Sequence, residues 1–223
     1  MIIPEEGSLL LVNKPKSWTS FDVVNKLRYL LKIKKIGHAG TLDPLASGLL
    51  LIGVGKYTKK LESLQGLDKT YEGIIEIGKT TPSFDLETPF DSSSDYMHVT
   101  PQQIAVAVEA LTGELDQIPP IYSAIKVNGQ RAYKSARKNE IIELKSRKIK
   151  VYKFEITRVH LPEIHFRVVC SKGTYIRSLA KDLGEKLGVG GYLKELVRTR
   201  VGGYKLENAF QLEQLVGQIN SEK

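Results

Sequence analysis

Two long strand-like runs, RKIKVYKFEITRVHL and EIHFRVVCSKG, occupy residues 147–161 and 163–173 and are separated only by Pro162. β-Branched and aromatic residues dominate both, and so tight a Pro-Glu connection leaves them one arrangement, an antiparallel hairpin. A sheet is therefore required, and the other apolar runs must pair with this hairpin or pack on it. SLLLVNKP reads as a buried strand ending at Pro15, LLLIGV (49–54) as another, KTYEGIIEIG (69–78) as a strand with unequal faces carrying Tyr71, Gly73, Ile75 and Ile77, and YLKELVRTRVGGY (192–204) as the last.

Helical spacing marks four further segments. TSFDVVNKLRYLLK has an apolar stripe of Val23, Leu27, Leu30 and Leu31, with Thr19 or Ser20 as its cap. Thr100, Pro101 and Gln103 form a helix start ahead of Ile104, Val108 and Leu111. Thr174 to Leu187 aligns Ile176, Leu179, Ala180, Leu183 and Leu187 on one face and sets Arg177 on another, and FQLEQLVGQI reads as a terminal helix. Residues 36–48 read as a loop and residues 80–99 as a polar linker. Strands in hairpin order beside helices predict an α+β fold with a mixed, largely antiparallel sheet flanked by helices. One domain over residues 1–223 is expected, with no linker to a second.

The net charge of +8 is unevenly placed. Between Lys126 and Lys153 lie ten of the 33 Lys and Arg residues but only two of the 25 acids, so this segment alone carries the excess. Lys126, Arg131, Lys134, Arg137 and Lys138, with Tyr133 and Tyr152 interleaved, suit a nucleic-acid backbone, where each cation displaces condensed counterions. A solvated face is the plainer alternative. The start, MIIPEEGSLL, has no basic leader, and the longest apolar runs (Leu9 to Val12, Leu49 to Ile52) are too short to span a bilayer. The single cysteine, Cys170, fits a reducing compartment, so a cytoplasmic protein without membrane association is expected.

Familiar chemistries fail on spacing. GVGKYT has Tyr57 where a phosphate loop needs Ser or Thr, and Leu50 where it needs its first glycine; a strand-to-helix turn accounts for it better. The histidines (His38, His98, His160, His165) have no i, i+4 partner, one cysteine cannot build a zinc site, and no serine sits in a G-x-S-x-G elbow. Catalysis, if present, is expected to be metal-free and carboxylate-centred. The run GHAGTLDPLASGLL offers the carboxylate. Gly37, Gly40 and Gly48 free the backbone, while Pro44 holds Asp43 extended. An isolated Asp-Pro would be an ordinary surface turn.

This run closely resembles the signature of the TruB family of tRNA pseudouridine-55 synthases, which has the form GHxGTLDPxAxGxL. LLLVNKP with Lys14 and Pro15, KTYEG, IPPIYSAIKVNGQRAY and CSKGTYIRSLAKDLGEKLG resemble further family motifs in the same order, from about Ser8 to about Leu215. The resemblance implies a pseudouridine synthase fold and isomerisation of uridine in the tRNA T loop without metal or cofactor. In that reading Asp43 is the nucleophile or the stabiliser of a glycal intermediate, Arg177 pairs with it, and Tyr71 stacks on the uracil and offers a base. His38 fills the gap left by the extruded nucleotide, Tyr175 and Leu196 line the uracil pocket, Lys14 joins the substrate-binding set, and the basic segment at about 126–153 clasps RNA phosphates. Read alone, His38 is a core histidine, Arg177 a surface charge and Tyr71 a strand aromatic. Many relatives carry a C-terminal PUA domain, which is not expected here. A stand-alone monomer acting on tRNA is favoured over the catalytic subunit of a guide-RNA-dependent particle or a non-catalytic tRNA-binding protein.

Overall fold

The computed structural model describes residues 6–123, 126–127, 130–131 and 144–215. The chain opens with β1 (Ser8–Lys14), α1 (Ser20–Leu31), β2 (Ile36–Ala39) and β3 (Ser47–Val54), then a 3₁₀ turn (Gly55–Lys60) leading into α2 (Leu61–Gln65). There follow β4 (Lys69–Ile77), β5 (Lys79–Thr80), β6 (Ser92–Ser93), α3 (Pro101–Glu109) and β7 (Gly113–Gln117). After β8 (Lys126–Val127) and β9 (Gln130–Arg131) come the long strands β10 (Arg147–His160) and β11 (Glu163–Cys170). The described chain ends with α4 (Ile176–Lys186), β12 (Gly191–Val201), β13 (Tyr204–Lys205) and β14 (Phe210–Gln211). Two compact units result, one from residues 1–72 and 196–223, the other from residues 73–195. The chain passes between them within β4 and returns within β12.

In the first unit β3 is the centre. It pairs antiparallel with β1 from Ser8↔Val54 to Lys14↔Gly48, antiparallel with β2, and parallel with β12 at Ser47 and Gly48. Every residue from Gly48 to Val54 is buried, which is why this strand reads as a continuous apolar run instead of alternating. One face meets α1, where Val23, Val24, Leu27 and Leu30 pack with Leu10, Val12, Leu50 and Ile52. The other buries Leu49 and Leu51 with Leu64 and Val201. Thr19 fixes the start of α1 by a reciprocal cap: it accepts from the Asp22 amide at 3.0 Å, and the Asp22 carboxylate accepts from the Thr19 amide at 2.8 Å.

In the second unit the expected hairpin is present. β10 and β11 pair from Val151↔Cys170 to His160↔Glu163. β7 extends this sheet on the far side of β10, from Arg147↔Gln117 to Val151↔Gly113. Ile164, Phe166, Val168 and Cys170 alternate inward, so the cysteine is a core thiol. Thr100 and Gln103 form the expected capping box on α3. The apolar face of α4 buries Ile176, Leu179, Ala180 and Leu183. With antiparallel pairs dominant and parallel ones at β1–β14 and β3–β12, the fold is α+β with a mixed sheet.

Four expectations are corrected. The loop read over residues 36–48 begins only after Ala39, because Ile36–Ala39 gains a hydrogen-bonding edge on β3. The polar linker at 80–99 contains the β5–β6 hairpin and buries Thr81, Ser83 and Asp85. Phe210–Gln211 pairs with β1 as a strand, so the last helix starts at residue 212, and its continuation past 215 lies outside the described residues. Arg177 is 3 % exposed, not on a solvated helix face.

The join of α4 to β12 depends on Gly184. A Cβ there would lie 2.2 Å from backbone atoms of Gly190 and Gly191, a clash that no rotamer relieves. Gly184→Ala is expected to destabilise the protein by about 2 kcal/mol or more, as overpacking against rigid backbone does, read as a lower urea midpoint with an unchanged m-value.

Candidate active site

The segment from Gly40 to Ala46 bridges β2 and β3, and three side chains from distant parts of the first unit grip its backbone. Ser20, in the first turn of α1, accepts from the Leu42 amide at 2.9 Å and donates to the Leu42 carbonyl at 3.2 Å. Arg198, on β12, donates from Nε to Leu49 at 2.7 Å, from Nη2 to Gly40 at 3.1 Å and from Nη1 to Thr41 at 3.4 Å, all backbone carbonyls. Lys14, the last residue of β1, donates from Nζ to the carbonyls of Trp18 at 2.6 Å, Pro15 at 2.9 Å and Pro44 at 3.3 Å. The Ser17 amide adds a bond to Pro44 and the Ala46 amide one to Asp43, at 2.8 and 3.1 Å. Backbone groups of all five residues from Gly40 to Pro44 are thus held, and the partly exposed Asp43 stands on an immobilised turn.

Gly48 is required here by space. Its φ is +108°, and a Cβ would lie 2.4 Å from the Arg198 carbonyl oxygen. The missing side chain lets β12 come close enough for Arg198 to reach Leu49 and Gly40. Both cations are sealed from solvent, Lys14 at 0 % and Arg198 at 1 % exposure. Burial pushes the Lys14 ammonium down to about 8; the Asp43 charge opposes the shift and Arg198 adds to it. His38 lies on β2 opposite Ile52. Its pKa is lowered, by burial first and then by the Arg198 charge, so the ring is neutral at neutral pH. Tyr71 on β4 and Leu196 on β12 are buried in the same unit as Asp43, each at 8 % exposure.

Arg177 and Tyr175 belong to the second unit. Arg177 donates from Nη1 to the Ser83 carbonyl at 3.2 Å and from Nη2 to the Tyr122 carbonyl at 3.0 Å, with Asp85 at 3.5 Å from Nε. Asp85 is itself held in a knot of polar side chains. Thr81 and Ser83 donate to its carbonyl at 2.7 and 3.1 Å, and its carboxylate accepts from the Glu87 amide at 2.9 Å. Tyr175 precedes α4; its amide donates to the Gln117 side chain at 2.7 Å, which returns a bond to the Tyr175 carbonyl at 3.0 Å. Of the basic segment, Lys126 and Arg131 pair in register across β8 and β9, while Lys134, Arg137 and Lys138 lie outside the described residues.

Ser20, Arg198 and Asp85 were missed from sequence. Arg198 had a signal, since it sits two residues after Leu196 on a strand and so shares its inward phase. The polar run around Asp85 had only its density of Ser, Thr and Asp.

The chain matches the model of the TruB family pseudouridylate synthase N-terminal domain over residues 28–176, and that of the tRNA pseudouridylate synthase B C-terminal domain over residues 177–223. It is 54% identical over 214 residues to the tRNA pseudouridine synthase B of Flavobacterium johnsoniae, covering 93% of each chain. To the protein of the same name from Phocaeicola vulgatus it is 49% identical, over 94% of this chain and 92% of the relative. Among solved structures it resembles one chain of a Cbf5-Nop10-Gar1 complex, with TM-score 0.75 and 31% identity over 96% of its own length and 54% of the other's. A chain of an H/ACA RNP bound to a substrate RNA containing 2'-deoxyuridine gives TM-score 0.71 and 28% identity, over 96% of this chain and 53% of that one. The chain thus spans about half the length of these solved chains, and its fold is that of the pseudouridine synthases. Within that class it belongs to the TruB family.

Two outcomes are expected from the loop's supports. Arg198→Leu strands three carbonyls, so the amides of residues 40–43, 45 and 46 should exchange with solvent at least about tenfold faster than in the parent, while those of β10 and β11 keep their protection. For Lys14 the buried state disfavours charge, so the unfolded chain holds that proton more tightly. Its contribution to stability is flat below about pH 8 and rises between about 8 and the ordinary lysine value of 10.5. Unfolding titrations should show this rise, on the order of 3 kcal/mol, and should lose it in Lys14→Gln.

Proposed function

We propose that this chain isomerises uridine to pseudouridine in tRNA, at position 55 of the T loop, acting without a guide RNA, with Asp43 as the group that carries the reaction. The observation that carries the reading is the GHAGTLDPLASGLL loop itself: a family signature whose backbone is clamped at every residue from Gly40 to Pro44 around one carboxylate. Near-identical coverage favours the stand-alone enzyme over the guided one. The Flavobacterium johnsoniae and Phocaeicola vulgatus relatives align over more than nine-tenths of both chains, whereas the Cbf5 complex chain is matched over about half.

The reaction breaks the bond from uracil N1 to the ribose C1′, turns the base and joins C5 to C1′; the proton on C5 leaves and N1 takes one up. Asp43 serves either route to this exchange, attacking C1′ directly or taking a sugar proton on the way to a glycal. A fixed backbone limits the orientations its carboxylate has to sample, and the carboxylate acts electrostatically on the buried Lys14 ammonium. Tyr71 is the proposed base for C5. His38, neutral by burial, offers a flat uncharged ring to replace an extruded base at low desolvation cost. Arg177, Tyr175 and Leu196 enter through the family motifs, and the cations at 126–153 through charge. The enzyme acts as a monomer in the cytoplasm.

Tritium release from C5-labelled uridine in an unmodified tRNA transcript is expected with the purified chain alone. Asp43→Asn should slow it by more than about a thousandfold and leave RNA affinity within roughly twofold. An active Asp43→Asn protein sinks the assignment of the carboxylate, and an inactive parent sinks the reaction.

A further inference from the structure

α1 has two unlike faces. Val23, Val24, Leu27 and Leu30 are buried in the core of the first unit, while Phe21 is 56 % exposed and Tyr29 80 % exposed on the outside. Single exposed aromatics are ordinary, but these share their face with cations. Between Asp22 and Asp43 the chain carries Lys26, Arg28, Lys32, Lys34 and Lys35 and no acid. Asp22 is engaged at the start of the helix, where its carboxylate accepts from the Thr19 amide at 2.8 Å and the Thr19 hydroxyl at 2.6 Å. Lysines elsewhere, such as Lys79, Lys181 and Lys194, pair with carboxylates; among the described residues Lys26, Lys32 and Lys34 form no ion pair.

The patch has a fixed shape. Arg28 donates from Nη2 to the Ile36 carbonyl at 2.8 Å and from Nη1 to the Asn25 side chain at 3.2 Å, and its guanidinium carbon lies 5.6 Å from the centre of the Phe21 ring. The Gly55 amide donates to the Lys35 carbonyl at 2.8 Å. These bonds hold the turn from α1 to β2, where Arg28, Lys32, Ile33 and Lys34 line an open recess of about 450 Å³. α1 ends on Lys32 in the left-handed region, φ +55°, where glycine or asparagine sits with less strain. Unpaired cations around an exposed tyrosine match a nucleic-acid backbone. The position fits the same partner. α1 begins at the Asp43 loop, where Ser20 holds Leu42. Tyr29 lies about 14 Å further along the helix axis at 1.5 Å per residue, a span of about four phosphates along one strand.

We propose that the outer face of α1 and the turn after it form a second RNA-docking surface. Lys26, Lys32 and Lys34 take backbone phosphates about four or more nucleotides from the target uridine, and Tyr29 packs on the same strand. This rests on the reading of the chain as a tRNA-modifying enzyme and adds a contact in the first unit, apart from the basic segment at 126–153. The surface sets the affinity for extended RNA and leaves the reaction at Asp43 untouched.

The test compares the parent, a triple variant (Lys26→Gln, Lys32→Asn, Lys34→Gln) and Tyr29→Ala on one unmodified tRNA transcript. Asparagine tolerates the left-handed conformation at position 32, so the triple variant should keep the parent's urea midpoint. Its Kd at about 0.1 M salt should rise about tenfold, and the slope of log Kd against log salt should fall by about two to three. Tyr29→Ala should raise Kd about fivefold. In tritium release KM should follow Kd while kcat stays unchanged. Ethylation of phosphates about four or more nucleotides from the target uridine should weaken the parent and have no effect on the triple variant. A triple variant with the parent's Kd and salt slope overturns the proposal and leaves the patch to another anion or to solvent. Weakened binding with the parent's pattern of ethylation interference overturns it equally, since the lysines then act without touching those phosphates. A parent whose binding depends on these lysines but which releases no tritium overturns the proposed reaction and leaves the docking surface standing.

Discussion

Everything around Asp43 depends on backbone carbonyls acting as the solvent for two buried cations. Lys14 and Arg198 give up water completely and recover it as six bonds to carbonyl oxygens, four of them on the loop or its entry into β3. The exchange works in both directions. A loop of this composition would otherwise sample many turns, and two charges in an apolar unit would otherwise be untenable. Each solves the other's problem, and the backbone that carries Asp43 is fixed as a by-product. The apolar layers on both faces of β3 supply the frame that keeps these charges from reaching water.

The second unit uses the same logic for other groups. Arg177 is held by two carbonyls and Asp85, and Asp85 by hydroxyls and an amide, so a stretch with little apolar content still folds tightly. Polar side chains here hold the chain in the way that hydrophobic burial does elsewhere. Tyr175 is seated by the Gln117 side chain, which holds its backbone, and by the Arg147 guanidinium over its ring.

What could be read from sequence divides along physical lines. The β10–β11 hairpin, the Thr100–Gln103 capping box and the interior strand β3 were legible because they rest on local signals: a short turn, a Thr three residues before Gln, an unbroken apolar run. Asp43 and its loop were legible through glycine, proline and the family pattern. Ser20, Arg198 and Asp85 were not, since a polar residue declares nothing about burial until its partners are known. Those partners stand far off in the chain. Ser20 meets Leu42, 22 residues away, and Arg198 meets Gly40 across 158. The strand at 36–39 was hidden for the same reason, as Gly37 and His38 look like loop until β3 offers an edge.

That separation has a consequence for a chain made from one end to the other. Residues 1–72 leave the ribosome carrying the Asp43 loop and the Lys14 and Ser20 side chains that hold it, yet the arginine that closes the clamp is synthesised only after the whole of residues 73–195. The first unit is therefore finished by the last part of the chain. Long sequence separation slows such closure, and until it happens the loop lacks the bonds that Arg198 makes to the Gly40 and Thr41 carbonyls. A chain that stops before residue 196 carries Asp43 and every upstream motif but lacks the Arg198 bonds to Gly40, Thr41 and Leu49 that hold the loop in place.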